Sequence, residues 1–284
     1  MPKFSSSSFN VISPKQRVSD SALTAIGRLA NEIKENSEQI WTVYRQNFRN
    51  SYHGTAMGVL WNFILPLVPI TVYLFLTKIR VFPTFDGVSG ATFLTFGVTI
   101  WFIFVGFVQL PINTVASRSD EAMKTALPLS ASIVSAFATL IFETIIRLCL
   151  VIAIVIWTQS WPTLSAPLLF LIFLPAFLLF FGAGLILSVL NVVYKDISRV
   201  TTILLTYGLF VSGVIFPMGE SGIALINARF NPFAVFVNAS REIVFNGQLD
   251  NYIPLAVWSG IGVITFVVGA RLFYVMEYRI RGLT

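Results

Sequence analysis

The chain has 284 residues, of which 56% are hydrophobic and 11% charged, and it carries a formal net charge of +6. Soluble domains hold about 25% charged residues, so this balance, with a mean hydropathy of +0.80, excludes an ordinary soluble domain and indicates an all-α integral membrane protein. One cysteine and one histidine exclude an intrachain disulfide and most Cys/His metal sites, and the basic excess reads as a matter of membrane topology, with no nucleic-acid partner expected.

Residues 1–35 open with a serine run, followed by Pro14, Lys15 and Arg17 and a modestly amphipathic stretch from Ala22 to Ile33. They read as a cytoplasmic, partly disordered tail. No short apolar core with a cleavage site precedes the first long apolar run, so no signal peptide is expected. Residues 36–284 read as one transmembrane domain.

The domain begins with a surface helix over 38–52, in which Ile40, Tyr44, Phe48 and Tyr52 recur every fourth residue and share one face. Arg45 and Arg49 flank that face, the pattern of a helix lying in the headgroup plane. His53, Gly54 and Thr55 form a bend into unbroken apolar sequence, where His53 is read as an interfacial polar side chain.

Six spans are expected, at 57–77, 91–115, 129–157, 164–193, 200–216 and 252–274. Such runs of roughly 20 apolar residues suit helices crossing a ~30 Å hydrocarbon core and are too long for barrel strands. An even number of spans puts both termini on one side. Fourteen lysines and arginines fall on that side against four on the other, which makes it the cytoplasmic side.

Between spans 5 and 6, the segment from Phe216 to Asn251 is too apolar for a solvated loop and too interrupted for a span. Pro217, Gly219, Gly222, Asn231-Pro232 and Gly247 divide it. It reads as two short re-entrant helices dipping into the outer leaflet; the alternative is an external loop packed on its own protein.

No phosphate-binding G-x-x-x-x-G-K-[ST] loop occurs, so any ATP belongs to a partner. No catalytic residue and no metal site is assigned, and Cys149 lies inert within a span. Gly182 and Gly184 sit inside an apolar run and are read as points of close helix packing. Glu143 and Arg147, four residues apart in span 3, are read as an intramembrane ion pair that fixes packing. A proton relay is the other reading, and the other spans offer it no further acids. In the loop 117–127, Asp120 and Glu121 open and Lys124 closes a short helix in the sense that suits its dipole. That loop is either a solvated connection or a docking helix for a cytoplasmic subunit. Trp61, Tyr73, Tyr207, Phe210 and Phe216 are candidates to line a path on which sugar rings slide, although aromatic residues also serve lipid-facing surfaces.

In this order the features resemble the ABC-2 type membrane subunits that export O-antigen, capsule and teichoic acid. The resemblance covers residues 38–281 and is most specific at Tyr52-His-Gly-Thr-Ala-Met-Gly-Val-Leu-Trp61 followed by Pro66. That stretch is similar to the family's Y-[KR]-x-[ST]-x-L-G-x-[LF]-W…P, with His53 and Met57 as departures. Leu127-Pro128-Leu129-Ser130, Tyr194-Lys195-Asp196-Ile197 and Asn231-Pro232 add to it.

The resemblance implies a homodimer in the bacterial cytoplasmic (inner) membrane, with two copies of a separate ABC ATPase that bind ATP and Mg, so that this chain itself holds no cofactor. It also implies a lipid-linked polysaccharide as cargo, with membrane lipids around it. By the same carry-over, Tyr44, Arg45, Phe48, Arg49, Tyr52 and His53 belong to an interface or gate helix. Arg118, Asp120, Glu121 and Lys124 would contact the ATPase, and spans 1 and 5 would line the path. Two readings compete with the polysaccharide exporter: an ABC-2 exporter of small lipophilic molecules, and a membrane enzyme acting on lipid-linked sugars. A channel or scaffold that consumes no ATP is a third.

Overall fold

The computed structural model describes residues 14–52, 57–61, 64, 67–68, 71–72, 75, 88–121, 128–216 and 222–282. Among the described residues the only regular structure is helical. The stretch expected as a partly disordered tail differs from that reading from residue 14 onward. Pro14–Ser19 forms helix α1 and Ala22–Glu35 forms helix α2. Ser21 caps α2, its Oγ accepting the Thr24 amide at 3.2 Å. The apolar face of α2, with Ile26 and Leu29, joins a buried cluster built on the last long helix and the third expected span.

Helix α3 covers Ser37–Tyr52, the stretch expected to be helical at 38–52. Of span 1, a single 3₁₀ turn at Gly58–Leu60 and scattered residues are described; the rest, including Tyr73, lies outside the described residues, as do His53 and Lys124. Then come α4 (Gly90–Glu121), α5 (Leu129–Thr158) and α6 (Leu169–Val193), the last entered through a 3₁₀ turn at Ala166–Leu168. α7 (Asp196–Val211), α8 (Gly222–Phe230) and α9 (Pro232–Arg241) are shorter, and a π turn at Glu242–Asn246 leads to α10 (Tyr252–Gly282).

Among the described residues, four helical stretches are long and apolar enough to cross a membrane: Gly90–Ser117, Leu129–Thr158, Ala166–Val193 and Tyr252–Glu277. These match expected spans 2, 3, 4 and 6 to within a few residues. The fifth differs. Expected at 200–216, it is a helix of 16 residues that starts at Asp196 and stops at Val211. At 1.5 Å per residue that is about 24 Å, short of the hydrocarbon thickness.

α6 is the centre of the bundle, packed most extensively against α10 and then α4. Its sequence is apolar all round, as a helix enclosed by other helices requires. Two glycines let its neighbours approach backbone to backbone. A Cβ on Gly182 would stand 2.6 Å from the Phe266 backbone on α10, and one on Gly184 would stand 2.7 Å from the Val108 carbonyl on α4. From the other side, a Cβ on Gly269 would meet the Gly182 carbonyl at 2.5 Å. Small residues at helix crossings are how membrane helices gain close van der Waals contact, since lipid offers them no hydrophobic drive to associate. Above these crossings, phenylalanines fill the core: Phe104 stacks on Phe180 at 4.9 Å, and Phe180 meets Phe233 of α9 at 4.2 Å.

These crossings predict that Gly182→Ala destabilises the protein by roughly 1–3 kcal/mol through overpacking, read as a lower unfolding midpoint in detergent. Gly260→Ala serves as the control. It adds a methyl to α10 where nothing lies within 4 Å, and its midpoint should stay level or rise slightly.

Candidate functional site

At the end of the bundle where α4 begins, the ends of α7 and α9 meet around one guanidinium. Arg241 closes α9 and is buried. Its Nη1 donates to the Gly213 carbonyl, and its Nη2 donates to Val214 O at 2.7 Å and Phe93 O at 3.2 Å. The guanidinium carbon also lies 3.6 Å from the centroid of the Phe93 ring. Among the described residues no carboxylate pairs with it. The positive charge is held by carbonyl dipoles just past the C-terminus of α7, where the helix dipole is negative. Gly97 provides the room: a Cβ there would lie 1.9 Å from Nη2.

Two asparagines finish the same helix end. Asn231 caps α9, its Oδ1 accepting the Phe233 amide at 3.1 Å, while its Nδ2 donates to Ser212 Oγ at 3.0 Å and Val211 O at 3.3 Å. Asn227 also donates to Val211 O. Pro232 takes the first helical position, where a missing N–H costs nothing. The Asn231-Pro232 pair therefore starts one helix and completes another.

Among the described residues the expected path aromatics are not gathered into one site. Tyr207 and Phe210 are 67% and 54% exposed on the outer face of α7, Trp61 is 44% exposed, and Phe216 is half-buried past the end of α7. On its inner side α7 faces an apolar cleft of about 480 Å³, lined among others by Trp101, Phe180, Leu204, Gly208 and Phe233. Tyr207 and Phe210 are not among its walls.

Of the face expected on α3 from four-residue spacing, Tyr44 and Phe48 meet at 5.9 Å, while the Tyr52 side chain lies outside the described residues. Phe48 packs against α5, meeting Phe142 edge-on at 4.8 Å. Trp41, which the spacing passes over, extends this row at 5.2 Å from Tyr44, and the Arg45 guanidinium lies 4.9 Å from its ring. Arg49 is exposed. One turn beyond Phe142 on α5, Arg147 Nη2 bonds Glu143 Oε2 at 3.1 Å and sits 4.9 Å from the Phe102 ring. The pair is closed within one helix and braced by α4. Arg118, Asp120 and Glu121 form the last turn of α4.

The opposite end of the bundle holds a cluster absent from the sequence-based site residues. Glu277 on α10 is fully buried, and its Oε1 accepts the Leu129 amide at 2.9 Å and the Ser130 amide at 3.4 Å. Arg17 donates to Glu277 Oε2 at 3.4 Å and to Glu32 Oε1 at 2.9 Å, and Ser130 Oγ returns to Glu32 Oε2 at 3.2 Å. α1, α10, α5 and α2 are thus joined in a closed ring of hydrogen bonds. Beside it, Arg28 pairs with Asp20 at 2.6 Å and donates to Tyr274 Oη at 3.0 Å. The hydrogen bond to Tyr274, with the Asp20 charge in support, raises the Arg28 pKa above its ordinary value.

A signal for Glu277 was present. It continues the buried α10 face through Ala270 and Phe273, and a carboxylate on an apolar stripe needs a partner. No local pattern announces Arg241 or Arg17, whose partners lie 27 or more and 15 or more residues away.

Among the described residues no grouping of His, Cys, Asp and Glu could hold a metal ion. Long apolar helices around a glycine-packed core, with polar contacts concentrated at helix ends, define a multi-span membrane protein. Residues 38–245 match the ABC-2 type transporter family, and the chain belongs to it. It is 22% identical over 253 residues to the O-antigen export system permease protein RfbA of Myxococcus xanthus, covering 87% of this chain and 95% of that one. It is 23% identical to RfbA of Klebsiella pneumoniae (84% and 91% covered). It is 21% identical to the polysialic acid transport protein KpsM of Escherichia coli (83% and 92% covered).

Two substitutions test these charges. Arg241→Met leaves the Gly213, Val214 and Phe93 carbonyls without their donor. It should cost about 2–4 kcal/mol and loosen the α7–α9 junction, seen as faster amide exchange at 212–216. Glu143→Gln, which strands the Arg147 charge, should reduce folded yield while leaving any pH profile of transport in place. A shifted profile at normal yield would point to a relay.

Proposed function

We propose that this chain is the membrane-spanning permease subunit of an ATP-driven exporter that moves a lipid-linked polysaccharide across the bacterial cytoplasmic membrane. The observation that carries the reading is end-to-end similarity to polysaccharide-export permeases: more than four-fifths of this chain and more than nine-tenths of each relative align. No large inserted domain separates them. In this reading ATP and Mg are bound by two copies of a separate ATPase, and the chain works as a homodimer.

The architecture proposed has six spans: the four long helices, the stretch 57–77, and α7 completed at its outer end by α8 and α9 acting as re-entrant helices. The short length of α7 supports this, because helices folded back against its end supply the thickness it lacks. Both termini lie in the cytoplasm, as the excess of lysine and arginine on that side supports. α3 lies at the inner leaflet with Tyr44, Arg45 and Phe48 near the lipid carrier of the polymer. The outward aromatics Tyr207 and Phe210 line the path with Trp61 and Tyr73, in the space between two copies of the chain. Arg118, Asp120, Glu121 and Lys124 receive the motion of the ATPase.

Deleting the gene should abolish surface polysaccharide while the finished, lipid-linked polymer accumulates inside the cell. Unchanged surface polymer with loss of resistance to lipophilic compounds would favour the small-molecule exporter. Reversing Asp120, Glu121 and Lys124 together (D120K, E121K, K124E) should lower export at least tenfold, with normal membrane insertion and continued ATP hydrolysis. Wild-type export from the triple variant would remove the coupling role from this connection.

A further inference from the structure

α5 begins directly after the connection that leaves α4, and its first turn has no cap of its own. The residue before it is Pro128, which offers no side-chain acceptor. The cap comes from Glu277, 148 residues away, which takes the Leu129 amide at 2.9 Å and the Ser130 amide at 3.4 Å with one carboxylate oxygen. A carboxylate at this end of a helix is favoured by the free N–H groups and by the dipole together. The other oxygen is held by Arg17 at 3.4 Å, and Arg17 is fixed in turn by Glu32 at 2.9 Å and by the Tyr274 carbonyl at 3.2 Å. Its guanidinium carbon lies 4.6 Å from the centroid of the Tyr274 ring. All these groups are buried or half-buried. Arg271 ties the same strap down from α10 through the Asp20 and Val18 carbonyls.

We propose that Glu277 and Arg17 are positioning residues for energy coupling: the α1–α2 strap, acting through Glu277, fixes the start of α5 and so the footing of the α4–α5 connection on which the ATPase acts. The inference rests on the transport reading above. The strap supplies a fixed end against which a push on that connection becomes movement of α4 and α5. Without it the push is absorbed by fraying of the first turn of α5, and ATP is hydrolysed without export.

The arrangement differs from a plain salt bridge in a way that can be measured. Glu277 serves two kinds of donor, backbone amides and a guanidinium. Arg17 can be replaced by another cation, but Glu277 cannot be replaced by any residue without an acceptor. In proteoliposomes holding the full chain with its ATPase subunit, export per ATP hydrolysed should fall at least fivefold for Arg17→Met and for Glu277→Met, which leaves the Leu129 and Ser130 amides without an acceptor. Arg17→Lys should lie between these and wild type. The swap R17E with E277R should rescue nothing, because arginine has no acceptor for the Leu129 and Ser130 amides.

A readout independent of transport is protease cleavage within 118–128 in the assembled complex, which should be severalfold faster in Arg17→Met. Reduced folded yield with a wild-type export-to-ATP ratio and wild-type cleavage would overturn the proposal, leaving the ring as a stabilising contact. Rescue by the swap would overturn it as well. A wild-type complex that hydrolyses ATP but exports no polymer would refute the transport reading, and the coupling role with it. Faster cleavage in the variant would in that case still establish that the strap anchors α5.

Discussion

A helix inside lipid can satisfy every backbone group but those at its ends, and in this chain the ends decide where charge is buried. The free amides at the start of α5 are met by a carboxylate, Glu277. The free carbonyls past the end of α7 are met by a guanidinium, Arg241. Each side chain has the sign opposite to the dipole it meets. Both come from elements distant in sequence, so each cap is also a tertiary tie. An exposed helix end would have used water. An end enclosed by other helices must recruit a side chain, and a charged one gives the stronger bond.

Between these two ends the bundle is held by shape. Gly182 and Gly269 bring α6 and α10 into backbone contact, and Gly184 does the same between α6 and α4. Such crossings leave no slack, because the atom that would move is main chain. The phenylalanine stack from Phe104 through Phe180 to Phe233 then carries the same packing up to α9, so the segment after α7 joins the core that α4 and α6 form.

Much of this was legible in the sequence for a simple reason: lipid requires long apolar runs, and long runs have clear limits. Four of the spans fall where hydropathy puts them. The spacing of Tyr44 and Phe48 marked a helix face, the i,i+4 interval of Glu143 and Arg147 marked a pair, and glycines in an apolar run marked close packing. Each of those signals is local. Hydropathy continues through Val214 to Phe216 and so overshoots the end of α7, because the backbone turns at Gly213, whose φ is +67°. The strap is not visible as such in the sequence, because the surface that the apolar face of α2 packs on lies far along the chain and Arg17 gains its meaning from Glu277, 260 residues later. Arg241, one of the four basic residues that the charge count puts on the outer side, is equally silent in the sequence. A charge whose partner is a backbone carbonyl in another helix leaves no pattern in one sequence.

The distribution of ties also separates what is fixed from what can move. α4, α5, α6 and α10 are joined by glycine crossings, ring stacks and the Glu277 cap. α7 is bounded on its inner side by an apolar cleft of about 480 Å³ and shows a row of aromatic and aliphatic side chains outward. α3 rests on α5 and, more lightly, on α2. Displacing α6 or α10 would break main-chain contacts, whereas displacing α7 or α3 exposes far less packed surface, and local opening follows the least-packed elements. The helices that carry Tyr207 and Phe210 on one side and Tyr44 and Phe48 on the other therefore rearrange at less cost than α6 or α10, and the strap at the start of α5 is tied to the closely packed α10.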